Sequence, residues 1–281
     1  MDLKQYKYLV VCGDSFTQGH VMGEQASWAY WTAKKLGLEL INLAIGGMAN
    51  DWIYSKPILW FNQNKDKIKE SICMVAWTDF GRQHTIYQPV VSTENDERWI
   101  TNIHPGDLSE TPPFDINSTD NIPNALKYMH KNREVLKPYF GSIIDALYKT
   151  VNSQMILREY LESVNIPFCF FDAVTYNKFT LDFENKIIKM INPTSSELNI
   201  DFLIDHNMDS CSDLLNQNIS DYMFDEHYFD FEGQSIWGCY PKWENGSEKY
   251  EKGNFGHTNI EGAKVFADMI VSKFKNLYSI V

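Results

Sequence analysis

Four short apolar runs that alternate with helical stretches constrain this chain more than any other feature. They are Tyr8-Leu9-Val10-Val11-Cys12, Leu38-Glu39-Leu40-Ile41-Asn42-Leu43-Ala44-Ile45, Ile72-Cys73-Met74-Val75-Ala76-Trp77 and Phe168-Cys169-Phe170-Phe171. Their length marks them as strands. The first stops at Gly13, the second at Gly46-Gly47, and the fourth is entered through Ile166-Pro167, where a proline is tolerated at a strand's start. Between them, Ser27 to Leu36 reads as a helix closed by Gly37, and a second helix is expected from about Asp51 to Lys69. Ala125 to Val164 carries helical periodicity, read as two helices split near Lys137-Pro138, and a last helix runs from about Thr258 to Tyr278. Strands alternating with helices predict an α/β fold whose parallel sheet is covered on both faces. Right-handed crossovers then gather the strand C-termini on one edge, where ligands bind.

Ser15, Gly47 and Thr78-Asp79 all fall at that edge. Ser15 follows Gly13-Asp14 at a strand-to-helix turn, which exposes its hydroxyl and aims backbone N–H groups at whatever the serine attacks. Near the other end, His257 stands in Gly256-His257-Thr258-Asn259-Ile260-Glu261-Gly262-Ala263, just before the last helix. A serine and a histidine at element boundaries are a candidate nucleophile and its base.

Two stretches break the alternation. Residues 80–123 are polar and carry Pro105, Pro112 and Pro113, while residues 176–253 are rich in Asp, Asn and aromatics. Both leave the ligand edge, and both read as insertions into a single domain spanning 1–281. Loops this long are uncommon unless functional. Tyr222, Phe224, Tyr228, Phe229, Phe231, Trp237, Tyr240 and Trp243 are expected to pack a small core for the second insertion, with one or two left to stack on a sugar.

The chain has 25 Lys and Arg against 37 Asp and Glu, a net charge of −12. That argues against nucleic acid or an anionic membrane as partner, since both require clustered cations. No apolar stretch approaches the roughly 20 residues that span a bilayer, and the first apolar run is a strand, so a reducing, cytoplasmic setting is expected. Of the five cysteines, Cys12, Cys73 and Cys169 read as buried thiols; Cys211 and Cys239 are the pair whose bonding stays open. Asp205-His206 and Asp225-Glu226-His227 lack the His-Glu-x-x-His spacing of a zinc site, so no metal is expected and a solvated acidic loop is the reading there. No Walker A sequence or Rossmann glycine fingerprint is present, and no nucleotide cofactor is expected.

Gly13-Asp14-Ser15 after strand one, Gly47 after strand two, a polar pair after strand three and a late histidine resemble the SGNH (GDSL) hydrolase superfamily. The resemblance covers the sheet core, about half of the chain. It implies a flavodoxin-like three-layer α/β/α fold with esterase, lipase or carbohydrate deacetylase activity. Ser15 matches the family nucleophile, its N–H the first oxyanion donor, and Gly47 the oxyanion glycine, with Gly46 an equal candidate. Thr78 falls where the family has an oxyanion-donating asparagine; a hydroxyl there has one proton to give. His257 matches the base. The family's aspartate, three residues earlier, is here Asn254, so Ser15 and His257 act either as a dyad with Asn254 orienting the ring or with another carboxylate, for which Glu251, Asp225 and Glu226 are candidates. Asp14, Trp77, Asp79 and Arg82 adjoin these positions and are the expected substrate contacts, Arg82 being equally a surface ion pair.

The function implied is hydrolysis of a small O-acyl group, such as acetyl, from a carbohydrate or similar polar substrate. A non-catalytic binding module on the same fold and an O-acyltransferase are the rival readings.

Overall fold

The computed structural model describes residues 1–19, 23–78, 83–87, 99–103, 143–173, 225–229, 231 and 259–280. Four parallel strands make the central sheet: β1 (Tyr8–Cys12), β2 (Glu39–Asn42), β3 (Ser71–Trp77) and β6 (Phe168–Asp172), in the order β2-β1-β3-β6. Between β3 and β6 in sequence lies an antiparallel pair, β4 (Gln83–Tyr87) and β5 (Trp99–Ile103). The helices are α1 (Ser15–Gln18), α2 (Trp28–Leu36), α3 (Asn50–Ile53), α4 (Ser55–Gln63), α5 (Ile143–Ser163) and α6 (Ile260–Leu277).

The pleat divides each strand between two cores. Leu9 and Val11, Met74 and Ala76, and Cys169 and Phe171 face one side, where Trp28, Ala29 and Ala33 of α2 and Phe266, Ile270 and Phe274 of α6 cover them. Val10 and Cys12, Val75 and Trp77, and Phe168 and Phe170 face the other side, under Ile53 of α3, Phe61 of α4 and Leu157 and Leu161 of α5. Every β3 residue is buried, as a central strand covered on both faces requires. This is the expected three-layer α/β/α architecture. Cys12, Cys73 and Cys169 are buried free thiols, and burial pushes the Cys12 thiol up to about 12.

Several boundaries depart from the sequence reading. β2 ends at Asn42 rather than Ile45, because the Asn42 side chain turns the chain: its Oδ1 accepts from the Ala44 N–H (3.1 Å) while its Nδ2 donates to the Thr17 carbonyl (3.0 Å). The single helix expected from Asp51 to Lys69 is α3, α4 and a 3₁₀ segment at Lys65–Glu70. Pro57 has no N–H to return to the Ile53 carbonyl, and the break falls there. The first insertion holds the β4–β5 pair, which the sequence reading did not foresee.

The described residues of the second insertion join the main sheet. The Phe170 N–H donates to the His227 carbonyl (2.8 Å) and the Phe229 N–H to the Phe170 carbonyl (2.7 Å), so Tyr228 bridges β6 in parallel. The sheet order is thereby continued to the 2-1-3-4-5 arrangement of flavodoxin-like folds. Tyr228 enters one core and Phe229 and Phe231 the other. These three aromatics therefore belong to the main core rather than to a separate one. Tyr222, Phe224, Trp237, Tyr240 and Trp243 lie outside the described residues, as do Cys211, Cys239, Asp205, His206 and residues 125–142.

Candidate active site

The chain runs from β1 outward to β2, then returns to the other side of β1 to form β3. The crevice above β1 and β3 is the topological switch point, where open α/β sheets bind ligands. Ser15 lies there. Asp14 is the N-cap of α1, its Oδ1 accepting from the Phe16 N–H at 3.0 Å, which makes Ser15 the first helical residue. The N–H of that position points away from the helix body rather than into it. Ser15 is 8% exposed.

The turn is held from below. The Thr17 carbonyl accepts from Ser27 Oγ and from Asn42 Nδ2, and Thr17 Oγ1 from Trp28 Nε1 (3.2 Å). Gly13 permits this closeness. A Cβ on it would stand 2.2 Å from Thr17 Oγ1 and 2.9 Å from the Ala76 carbonyl oxygen. Gly13→Ala is expected to cost roughly 1–3 kcal/mol, the usual penalty of overpacking. It should also lower turnover, because relieving the clash moves the Ser15 turn. Thermal unfolding and initial rates on the purified variant check both.

The two glycines after β2 differ in their hydrogen bonds and backbone. The Met48 N–H donates to the Ile45 carbonyl (3.1 Å), closing a four-residue turn in which Gly47 has φ 76°. Positive φ at the third position is what a type II turn demands, and glycine meets it without strain. The Gly46 N–H is taken by Gln18 Oε1 at 2.6 Å. No hydrogen bond among the described residues uses the Gly47 N–H.

Three sequence expectations change here. The Thr78 hydroxyl donates to Asp14 Oδ2 at 2.8 Å, so its one proton is committed and is not presented to an oxyanion. Asp14 is fully buried between Phe16 and Thr78 and is not a substrate contact. Trp77 is fully buried against Phe170, with ring centroids 5.4 Å apart and nearly perpendicular, and is core rather than pocket wall. His257, Asn254, Glu251, Asp79 and Arg82 lie outside the described residues.

Asp225, a candidate partner for the base, has ionic partners of its own among the described residues. Its Oδ2 pairs with Arg158 (2.5 Å) and with His227 Nδ1 (3.2 Å), and His227 stacks on Phe168, the first residue of β6. Burial pushes the Asp225 carboxyl up, but hydrogen bonds from His227 and Arg158 outweigh it and hold the group below the usual carboxylate range. The solvated acidic loop expected here is instead an anchored turn, and Glu226 shares it.

Two residues escaped the sequence reading. Asn50 is 2% exposed and clasps Thr78. Its Oδ1 accepts from the Thr78 N–H (2.9 Å), and its Nδ2 donates to the Thr78 carbonyl (3.1 Å) and to Thr150 Oγ1 (3.2 Å). Asp172, at the C-terminal end of β6, is a buried carboxylate that accepts from the Tyr228 hydroxyl at 2.5 Å. A lone Asp after an apolar run gives no sequence signal of either burial or partner.

The chain is thus a doubly wound α/β/α protein with a serine on the turn after its first strand. No family model and no curated protein matches it. Among solved structures it is similar to the psychrotrophic esterase EstA from Pseudoalteromonas sp., a structure inhibited by monoethylphosphonate, at 9% identity over 97% of this chain and 99% of that one, TM-score 0.47. It is similar also to a G-D-S-L family protein from Desulfitobacterium hafniense DCB-2, at 12% identity over 95% and 99% of the two chains, TM-score 0.41. A third is the acetyl xylan esterase Est2A from the rumen bacterium Butyrivibrio proteoclasticus, at 11% identity over 98% of this chain and 64% of that one, TM-score 0.41. At these identities and scores no residue role rests on the likeness.

Proposed function

We propose that this chain is a divergent SGNH-type serine esterase. The observation that carries the reading is the placement of Ser15: first residue of α1, at the switch point, across from the Gly47 turn. Ser15 Oγ attacks the ester carbonyl carbon while His257 takes its proton. The carbonyl oxygen, now negative, is held by the N–H groups of Ser15 and Gly47. His257 returns the proton to the leaving alkoxide, the alcohol departs, and water hydrolyses the acyl-serine by the same steps. Asn254 orients the imidazole, and Asp79 and Arg82 contact the substrate beyond the crevice. No cofactor takes part.

The substrate is a small O-acyl group, acetyl foremost, on a carbohydrate or similar polar acceptor. Its support is the polar, aromatic-rich stretch 176–253 and the lack of a long apolar run to line an acyl channel. A series of p-nitrophenyl esters tests this. Acetate should exceed octanoate in kcat/KM by more than about tenfold, the scale on which a pocket discriminates methylenes. An octanoate preference of the same size would replace the deacetylase reading with a lipolytic one.

One observation favours a second reading, a binding module. With the Thr78 hydroxyl committed to Asp14, the oxyanion site has no side-chain donor among the described residues. A fluorophosphonate probe separates the two, since only an activated serine forms the adduct. Acyl transfer, the third reading, would yield acylated acceptor when a sugar alcohol is added.

A further inference from the structure

Thr78 occupies the place of an oxyanion donor yet gives its proton to Asp14. We infer that Thr78 is a positioning residue, the middle of a buried tie from Asp14 to Asn50 that holds both oxyanion-bearing turns in one frame. The inference rests on the esterase reading and assigns to Thr78 a role other than direct donation.

Asp14 caps the turn that carries Ser15 with one carboxylate oxygen and receives the Thr78 hydroxyl on the other. The Thr78 peptide is gripped on both sides by the single amide of Asn50. Asn50 opens α3, directly after the Gly47 turn and the fully buried Ala49. Three side chains therefore connect the turn that carries Ser15 to the segment that follows the Gly47 turn. Asp14 and Thr78 are fully buried and Asn50 is 2% exposed, so water does not compete for these bonds. Thr150 of α5 occupies the second Nδ2 proton of Asn50, which fixes the amide's orientation.

A second tie lies on the other flank, where Gln18 Oε1, at the end of α1, takes the Gly46 N–H. Two links between the same pair of turns restrain rotation as well as separation. An oxyanion site works because its donors need no reorganisation as charge develops. A rigid pair of backbone donors is the arrangement in which loss of a side-chain donor is least damaging. An asparagine at position 78 lacks the hydroxyl that meets Asp14.

The test uses the purified full chain with three substitutions: Thr78→Val, which keeps the shape and removes the hydroxyl, Thr78→Ser and Thr78→Asn. Thr78→Val should lower kcat about 10- to 100-fold with KM within about twofold, the scale of a small misplacement of reacting groups. Thr78→Ser should recover kcat to within about threefold. Cys169→Ala, in the core on another strand, serves as a control for lost stability and should leave kcat unchanged at a similar fall in Tm. Thr78→Val that lowers Tm but not kcat would overturn the tie. So would Thr78→Asn at or above wild-type kcat, which would make position 78 a direct donor. Wild-type protein with neither turnover nor fluorophosphonate labelling is a different result, and defeats the esterase reading together with the tie built on it.

Discussion

Ser15→Ala is expected to lower ester turnover by about 10⁴-fold or more, as removal of the nucleophile does in serine hydrolases. The fold should be untouched. The α1 cap is Asp14, whose bond to the Phe16 N–H does not involve the serine side chain. Alanine is also a good residue for a first helical position. Thr17, Ser27 and Asn42 continue to hold the turn from beneath. Melting temperature and circular dichroism should therefore match wild type while hydrolysis of p-nitrophenyl acetate falls to background. Activity that survives the substitution would assign the chemistry to another residue.

His257→Ala is expected to cost about 10²–10⁴ in kcat, the range of a positioned general base. The loss should fall on kcat rather than KM, since the imidazole moves a proton and holds no remote part of the substrate. It should be smaller than the loss at Ser15, because the nucleophile and the Ser15 and Gly47 donors remain. The residue three positions before His257 is Asn254. An amide can orient imidazole but offers no negative charge to the imidazolium, and exchanging acid for amide in a serine protease cost about 10⁴ in kcat. A slow enzyme is thus expected, and overnight assays suit it better than a brief colorimetric screen. Equal rates for His257→Ala and wild type would remove the dyad.

The sheet was legible because its signal is local and repeated. Tyr8–Cys12, Ile72–Trp77 and Phe168–Phe171 are unbroken apolar runs, and buried parallel strands leave that mark. Gly37, read as the stop of the helix, ends α2 in the left-handed conformation. The β4–β5 pair was hidden because the residues between Tyr87 and Trp99 are too many for a tight turn and carry no hairpin signature. Tyr228 and Phe229 were misplaced for another reason. Their pairing with Phe170 joins segments far apart in sequence, and the flanking Asp225-Glu226-His227 reads as surface until Arg158 is seen beside it. At the site, position was legible and partnership was not. Ser15, Gly47 and Thr78 were placed at the right edge from strand ends alone. That Thr78 turns toward Asp14, that Asn50 grips its peptide, and that Gly46 is spent on Gln18 depend on side-chain directions which no sequence spacing specifies.

The central claim is that Ser15 is an activated nucleophile, and covalent labelling tests it most directly. The full chain, incubated with a fluorophosphonate and digested, is expected to carry a single phosphonyl adduct on the peptide containing Gly13-Asp14-Ser15-Phe16, absent from Ser15→Ala. An adduct on a different residue, or none at high probe concentration in protein shown to be folded, would contradict it.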